Sequence, residues 1–293
     1  MKKKLLNIND INYEDFETIL RYSSELSKNK SDILKNKNIG LIFEKNSTRT
    51  RLSFKVGISQ LGGTFIDINL NELNLQRIES FEDTFEIMAC YLDALVYRTN
   101  DHKKLKLAYN FFNKPIINAL SDVSHPCQAI SDIFTIREHF KRNDNFKIVW
   151  CGDLNNVLFS FLEISNFLPN TNVDIFTDKK IYEDNFEYFP KSEKISYHFS
   201  LDDKIIKNAD CVMTDVYNSM NDMENKEVIL SKFQVNSALM DLTSENAIFM
   251  HCLPAKIDSE VTHEVIKGPK SVVVKQAYNR MVAQKGILKW LGL

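Results

Sequence analysis

The chain has 293 residues, a length that favours two domains. Hydrophobic residues make up 44% of it and charged residues 26%, a composition that excludes a disordered or collagen-like chain. Lys and Arg number 37 and Asp and Glu 39, so the net charge of −2 argues against a general nucleic-acid-binding protein.

The five cysteines are scattered along the chain and form no C-x-x-C pair. This pattern predicts reduced thiols, not a disulfide framework or a zinc site. The basic start of the chain, MKKKLLNIND, lacks the apolar core of a signal peptide, and no run of 18 apolar residues occurs. We expect a cytoplasmic protein that does not cross a membrane.

Nine short apolar runs, several of them rich in β-branched residues, predict buried β-strands. They lie at 38–43, 63–68, 93–97, 115–118, 146–150, 172–177, 210–214, 247–251 and 271–274. Charged stretches with helical spacing separate them, and this alternation predicts an α/β fold with parallel sheets flanked by helices.

The stretch 48–61 illustrates the helical spacing. Its apolar rows are formed by Leu52 with Val56 and, beside them, by Phe54, Ile58 and Leu61. A charged segment at 137–145 precedes a strong strand, and we place the domain junction around residues 130–145, within the helix that begins near Gln128. The expected domains are residues 1–135 and 136–275, with a C-terminal helix at 276–293 that packs back on the first domain.

The segment 43–51 follows a predicted strand and opens a helix. Ser47, Thr48 and Thr50 offer hydroxyl groups. The helix start offers free N–H groups, and Arg49 offers a planar guanidinium. These groups favour a phosphate-binding site, although a Ser or Thr cap beside solvated arginines would give the same pattern.

Three further side chains follow predicted strands in the same half of the chain. Arg98 ends one strand and either points into the crevice where parallel sheets bind ligands or lies on the surface. His125 precedes a helix that Pro126 begins, and Gln128 lies in its first turn. A histidine in this position can donate a hydrogen bond to a ligand oxygen or serve as a structural residue.

In the second half, Gly152 begins a strand–turn–helix unit. Leu154 and Val157 replace the later glycines of the dinucleotide fingerprint, so a dinucleotide cofactor fits poorly. The two asparagines of the turn, Asn155 and Asn156, could instead hold a carboxylate or an amine.

Strand ends place three more candidates. Asp215 can hold a cation or cap a helix. Cys252 adjoins His251, but neighbours in a strand face opposite ways, which argues against a catalytic Cys–His pair. Arg280 follows the last predicted strand and supplies another cation.

Together, five motifs are similar to those of the aspartate/ornithine carbamoyltransferase family. They are Ser-Thr-Arg-Thr-Arg at 47–51, His-Pro-Cys-Gln at 125–128, Gly-Asp-Leu-Asn-Asn at 152–156, Asp-x-x-x-Ser-Met at 215–220 and His-Cys-Leu-Pro at 251–254. They occur in the family's order and cover almost the whole chain, and the last two resemble the ornithine branch.

This resemblance implies transfer of the carbamoyl group from carbamoyl phosphate to the δ-amine of L-ornithine, which gives L-citrulline and phosphate in arginine biosynthesis. It implies two α/β domains with the active site in the cleft between them, a homotrimer, and no metal or organic cofactor. A loop at 74–81 would reach the site of a neighbouring subunit.

The resemblance also implies which residues form the site. Carbamoyl phosphate would contact Ser47, Thr48, Arg49, Thr50, Asn74, Arg98, His125, Gln128, Cys252, Leu253 and Arg280, and ornithine would contact Asn156, Asp215, Ser219 and Met220. Among the catalytic residues, Arg98 and His125 would stabilise the oxyanion that develops on the carbonyl oxygen. Asp215 and Cys252 would orient the attacking amine.

Two positions depart from the family pattern. Asn74 stands where a glutamine often contacts carbamoyl phosphate, and Asn221 stands where the ornithine branch usually has the glycine of Ser-Met-Gly. Other acceptors stay open as alternatives, namely putrescine, an acylated ornithine or aspartate. A non-catalytic relative with the same fold is a further alternative, which the intact arginines of the motifs disfavour.

Overall fold

The computed structural model describes residues 3–73, 79–218 and 225–293. The chain divides into two compact units, one formed by residues up to Phe134 together with Tyr278–Leu293, the other by Thr135–Ala277. Each unit contains one five-stranded sheet, and all strand pairings that we describe are parallel. The predicted α/β class with parallel sheets is confirmed. None of the helices in the described ranges is long and apolar enough to cross a membrane.

The sheet of the first unit has the strand order β1-β5-β4-β2-β3. Its strands are β1 (Lys4–Leu5), β2 (Asn38–Phe43), β3 (Thr64–Ile68), β4 (Ala94–Arg98) and β5 (Ile116–Leu120). The helices that alternate with them are α1 (Tyr13–Leu26), α2 (Arg49–Gln60), α3 (Phe81–Tyr91), α4 (His102–Phe111) and α5 (Pro126–Phe140). The central strands β2, β4 and β5 are buried almost throughout, as their continuous apolar sequences predict, whereas the edge strand β3 is largely exposed.

The sheet of the second unit has the order β10-β9-β6-β7-β8. Its strands are β6 (Lys147–Cys151), β7 (Asn172–Phe176), β8 (Ile195–His198), β9 (Cys211–Thr214) and β10 (Ile248–His251). The helices are α6 (Asn156–Ser165), α7 (Lys179–Asn185), α8 (Asp203–Ile206), α9 (Glu227–Leu230), α10 (Ser237–Leu242) and α11 (His263–Ile266). The last helix, α12 (Val273–Leu291), returns the chain to the first unit.

Each sheet has a point where the strand order reverses. In the first sheet the chain moves from β2 outward to β3 and then returns to β4 on the other side of β2. In the second sheet it moves from β6 through β7 to β8 and returns to β9 on the other side of β6. Open parallel sheets bind ligands beyond the carboxyl ends of the strands at such points. We therefore expect ligands to bind near the residues that follow β2, β4, β6 and β9.

The predicted strand at 271–274 is wrong. Ser271 makes only an isolated bridge with Phe249, and Val273 and Val274 already belong to α12. The side chain of Gln276, in the first turn of the helix, accepts the backbone N–H of His251 at 2.9 Å. The backbone of Lys270 and Val272 bonds to Phe249, and beyond this short pairing the Gln276 side chain binds the N–H of His251 that a longer strand would have bound.

The helical spacing at 48–61 is confirmed, but only one of its apolar rows is buried. Phe54, Ile58 and Leu61 are fully buried, whereas Leu52 and Val56 are 58% and 38% exposed. The helix therefore presents an apolar strip away from its own sheet.

The C-terminal helix packs very closely on α1. At Gly286 of α12, an added Cβ would lie 2.6 Å from the carbonyl oxygen of Ile19 and would collide with the Ser23 hydroxyl. Lys285, the neighbouring residue, is almost fully buried and donates to the carbonyl of Asn29 and to Gln60 Oε1. Only glycine fits at position 286, so this contact fixes the position of α12 on the first unit.

Candidate active site

The start of α2 in the first unit is built to receive an anion. Thr48 occupies the N-cap position without a capping hydrogen bond from its side chain, and the first turn contains no acidic residue. The N–H groups of this turn lack intrahelical partners, and the positive end of the helix dipole favours negative charge there. The hydroxyls of Ser47 and Thr48 precede this turn and Thr50 lies within it, as predicted.

Arg49 adds a cation to this turn. Its Nε atom is buried and has no hydrogen-bond partner among the residues that the structure describes. The next arginine of the motif, Arg51, points elsewhere, because its guanidinium binds Asp67 of β3 at 2.8 Å. Thus Arg49 has a buried Nε without a partner among the described residues, whereas Arg51 joins α2 to the edge strand.

Arg280 reaches the same place from α12 and not from a strand end, so that part of the sequence interpretation is wrong. Its guanidinium donates to Thr50 Oγ1 at 3.2 Å and to Gln128 Oε1. Gln128 in turn donates to Asp132 Oδ1 at 2.7 Å. All four residues are buried. This chain of bonds holds the Arg280 guanidinium in one orientation beside α2.

Arg98 is the last residue of β4, and a register irregularity precedes it. Tyr97 pairs with Asn118, but Arg98 pairs with Leu120, so one residue of β5 is skipped between them. Bulges of this kind turn the side chain that follows them. On its other side Arg98 pairs with Phe43, the end of β2. The bulge therefore places Arg98 at the reversal point of the first sheet.

Glu44 connects the two strand ends, a role that sequence analysis did not anticipate. Its carboxylate accepts the Tyr97 hydroxyl at 2.7 Å and the Thr99 hydroxyl at 2.6 Å, and it pairs with Lys104. Its backbone N–H donates to the carbonyl of Arg98 at 3.1 Å. Although burial opposes ionisation, these donors together keep the pKa of Glu44 below its usual value. The segment that leads into α2 is thereby tied to the strand that carries Arg98.

His125 lies just before α5 and is only 3% exposed. Burial is the main reason why its pKa lies well below the usual histidine value, and the charges of Arg280 and Arg98 lower it further. Because these two arginines act on it, His125 belongs to the same cluster as the start of α2. The imidazole is neutral at physiological pH and therefore carries a single N–H.

This depressed pKa makes a testable contribution to stability. Below about pH 6.5, His125 becomes protonated in the unfolded chain but stays neutral in the folded protein. The free energy of unfolding therefore falls as the pH is lowered. Replacing His125 by glutamine should reduce the loss in free energy of unfolding between about pH 7 and pH 5.5 by about 1 kcal/mol. Urea denaturation at both pH values measures this, and an equal loss in both proteins would contradict it.

The second unit places Asp215 directly after β9, where it is 7% exposed. Its Oδ2 atom accepts the side-chain N–H of Asn155 at 2.9 Å, and its Oδ1 atom accepts the Cys252 thiol at 3.1 Å. The predicted residues Asp215 and Cys252 therefore lie together. Asn156 is the first residue of α6 and follows the asparagine that binds Asp215.

His251 and Cys252 do not act as a pair. His251 Nδ1 accepts the backbone N–H of Leu253, so its proton lies on Nε2, which faces Glu260 Oε1 at 3.1 Å. The ligand atoms of Asp215, His251 and Cys252 lie within 4.8 Å of one another. Because both nitrogens of His251 are engaged, this arrangement serves hydrogen bonding and does not favour a metal ion.

Leu253 has a φ angle of +60°. A left-handed conformation is unusual for leucine and is found most often where function requires it. The assignment of Leu253 to carbamoyl phosphate stays a prediction.

Four residues named in the sequence analysis, Asn74, Ser219, Met220 and Asn221, lie outside the described residues. The described flanks of 219–224 are bonded to each other and to the β6–α6 turn. Asn218 accepts the N–H of Lys226 at 2.8 Å, and the ammonium of Lys226 binds Asp153 at 2.9 Å.

Comparison with known proteins assigns both units to one family. Residues 3–138 match the carbamoyl-phosphate-binding domain of aspartate/ornithine carbamoyltransferases, and residues 144–291 match the aspartate/ornithine-binding domain. The chain belongs to the aspartate/ornithine carbamoyltransferase family. The resemblance seen in the sequence motifs is confirmed.

This chain is similar to an ornithine carbamoyltransferase from Methanococcus vannielii, with 40% identity over 98% of both chains. Among solved structures, the ornithine carbamoyltransferase of Burkholderia thailandensis has a TM-score of 0.90 at 30% identity over 99% of both chains. That of Pyrococcus furiosus has a TM-score of 0.84 at 36% identity, covering 98% of this chain and 96% of the other.

Proposed function

We propose that this carbamoyltransferase transfers the carbamoyl group of carbamoyl phosphate to the δ-amine of L-ornithine. The amine nitrogen forms a bond with the carbonyl carbon, the bond from that carbon to the phosphate oxygen breaks, and phosphate leaves with the electron pair. The nitrogen loses a proton in the process. The products are L-citrulline and phosphate, and the reaction belongs to arginine biosynthesis or a related part of arginine metabolism.

The observation that carries this proposal is the cluster at the start of α2. An uncapped helix start, the unengaged Nε of Arg49 and the fixed guanidinium of Arg280 suit a phosphate group. Arg98 and the neutral His125 are donors suited to the carbonyl oxygen, where negative charge develops. We therefore assign Ser47, Thr48, Arg49, Thr50, Arg98, His125, Gln128 and Arg280 to carbamoyl phosphate.

Asp215 supports a cationic acceptor. Its carboxylate is held by two uncharged donors, Asn155 and Cys252, so its negative charge is available to the amine of a bound substrate. A second carboxylate, as in aspartate, would be repelled here. We assign Asn156, Asp215, Ser219 and Met220 to ornithine, and Cys252, Leu253 and Asn74 to carbamoyl phosphate.

Several wider assignments belong to the same proposal. Residues 1–135 with the C-terminal helix would bind carbamoyl phosphate, and residues 136–275 would bind ornithine. None of the five cysteines forms a disulfide in the described chain, which supports a reducing, cytoplasmic compartment.

We propose a homotrimer as the assembly. Large apolar side chains remain exposed on α2, β3 and α3, namely Leu52, Val56, Ile66, Ile87 and Tyr91. Exposed apolar side chains on neighbouring elements are typical of subunit contacts. The mass of the protein in solution, measured by light scattering against three chains of 34.0 kDa, tests this assembly.

A competition between amines tests the reaction. We expect the purified protein to form citrulline from carbamoyl phosphate and ornithine, with kcat/KM at least about 10²-fold below this for putrescine and for aspartate. Putrescine lacks the α-carboxylate of an amino acid, and aspartate carries a second carboxylate in place of the side-chain amine. Product formation is followed by chromatography of each carbamoylated amine. A higher kcat/KM for putrescine than for ornithine would overturn the substrate assignment.

A further inference from the structure

Asn155 lies in the turn after β6, in the motif at 152–156, but the family resemblance assigns only its neighbour Asn156 to ornithine. The Oδ1 atom of Asn155 accepts the backbone N–H groups of Val157 at 3.0 Å and of Leu158 at 3.1 Å, which caps α6. Its Nδ2 atom donates to Asp215 Oδ2 at 2.9 Å. One buried amide thus serves both the helix start and the carboxylate.

The fold explains why this bond matters. Asn155 follows β6 and Asp215 follows β9, and these adjacent strands enclose the reversal point of the second sheet. Both side chains are nine-tenths buried. The bond therefore links the carboxyl ends of two strands at the point where open parallel sheets bind ligands. It joins the ends of two strands whose backbones pair only up to Trp150 and Met213.

The second oxygen of Asp215 is held from another direction by the thiol of Cys252, which follows β10. One hydrogen-bonded set thus contains a residue from beyond each of three adjacent strands, β6, β9 and β10. With both oxygens engaged, the carboxylate cannot rotate without breaking a buried bond. The direction in which its negative charge acts on a ligand is fixed by its neighbours.

We infer that Asn155 is a positioning residue for the amino-acid substrate: it fixes the carboxylate of Asp215 relative to the start of α6. Asn156, which we assign to ornithine, is the next residue, so the cap and the bond to Asp215 set the spacing between the two ligand-binding groups. This inference rests on the proposed function, since it names the site that receives ornithine.

Two substitutions separate the bond to Asp215 from the cap. Asn155→Ser keeps an oxygen that caps the helix well but has no amide N–H for Asp215. Asn155→Asp also keeps the cap but places a second carboxylate against Asp215. We expect kcat/KM for ornithine to fall about tenfold in Asn155→Ser and further in Asn155→Asp, because an oriented, charge-assisted contact is lost. The KM for carbamoyl phosphate should stay within about twofold of the wild-type value.

Asn236 provides a matched control. It caps α10 of the same unit through the N–H of Leu239 at 3.0 Å. Asn236→Ser and Asn236→Asp change a cap in the same way but leave the bond between Asn155 and Asp215 intact. Both control variants should keep the wild-type kcat/KM for ornithine.

The outcomes distinguish this inference from the proposed function. Wild-type protein that makes no citrulline would overturn the proposed function and the inference with it. Active wild-type protein with an unchanged ornithine kcat/KM in Asn155→Ser would overturn the inference alone. The same holds if both substrates are affected equally in Asn155→Ser, since that is the result of a merely structural role. If Asn155→Asp fails to fold, Asn155→Ser still decides the question.

Discussion

Replacing Arg98 by alanine is expected to lower kcat for citrulline formation about 10²- to 10³-fold, because one oriented donor to a developing oxyanion is worth that much. The bulge before Arg98 and its pairing with Phe43 place this residue beside the strand end that leads into α2. The far-ultraviolet circular dichroism of the variant should match that of the wild type. Steady-state kinetics with both substrates measure the change.

Arg21→Ala is the control for this prediction. Arg21 lies on α1, is largely exposed and pairs only weakly with Glu25, at 3.4 Å. Its removal changes the net charge by the same amount and should leave kcat unchanged. Full activity in Arg98→Ala would remove Arg98 from the proposed mechanism.

Replacing Asp215 by asparagine is expected to reduce kcat/KM for ornithine about 10- to 100-fold. The substitution keeps the shape of the side chain but removes its charge, and a hydrogen bond to a charged group contributes about 1.5–3 kcal/mol. The KM for carbamoyl phosphate should change little, since the residues that we propose bind its phosphate group lie on the first unit.

Asp202→Asn provides the comparison, because Asp202 caps α8 through the N–H of Lys204 at the surface. We expect this variant to behave as the wild type. If Asp215→Asn weakens both substrates to the same extent, as measured by initial rates over a grid of the two concentrations, Asp215 has no specific role toward ornithine.

The parallel sheets could be predicted from the sequence because strands that are buried on both faces have nearly continuous apolar sequences. Runs such as IGLIF at 39–43 and IVWC at 148–151 are continuously apolar, and the charged helices between them leave few topologies open. The hydroxyls and cations near the strand ends could be named for the same reason, since parallel strands deliver their carboxyl ends to one edge.

Other features depend on contacts that no local pattern encodes. The valines at 272–274 have strong β-propensity, yet the side chain of Gln276 takes the N–H that a strand would have bound. The bulge before Arg98 is invisible in the sequence because it concerns the register between two strands. Similarly, two adjacent asparagines cannot be told apart by type, and only the geometry shows that Asn155 binds Asp215. Gln128 was predicted to contact carbamoyl phosphate, and only the structure shows that its amide also accepts from Arg280 and donates to Asp132.

Gly286 affects activity although it lies outside the proposed site, because its lack of a side chain sets the position of α12. Gly286 lies six residues beyond Arg280 on the same helix, a distance of about 9 Å along the axis. A methyl group at position 286 would force α12 away from α1. The guanidinium of Arg280, on the same helix, would then move away from Thr50 and Gln128. The part of α12 that follows Arg280 therefore holds this residue beside the proposed phosphate-binding residues, and cutting the helix before Gly286 should lower activity although every proposed ligand-binding residue remains.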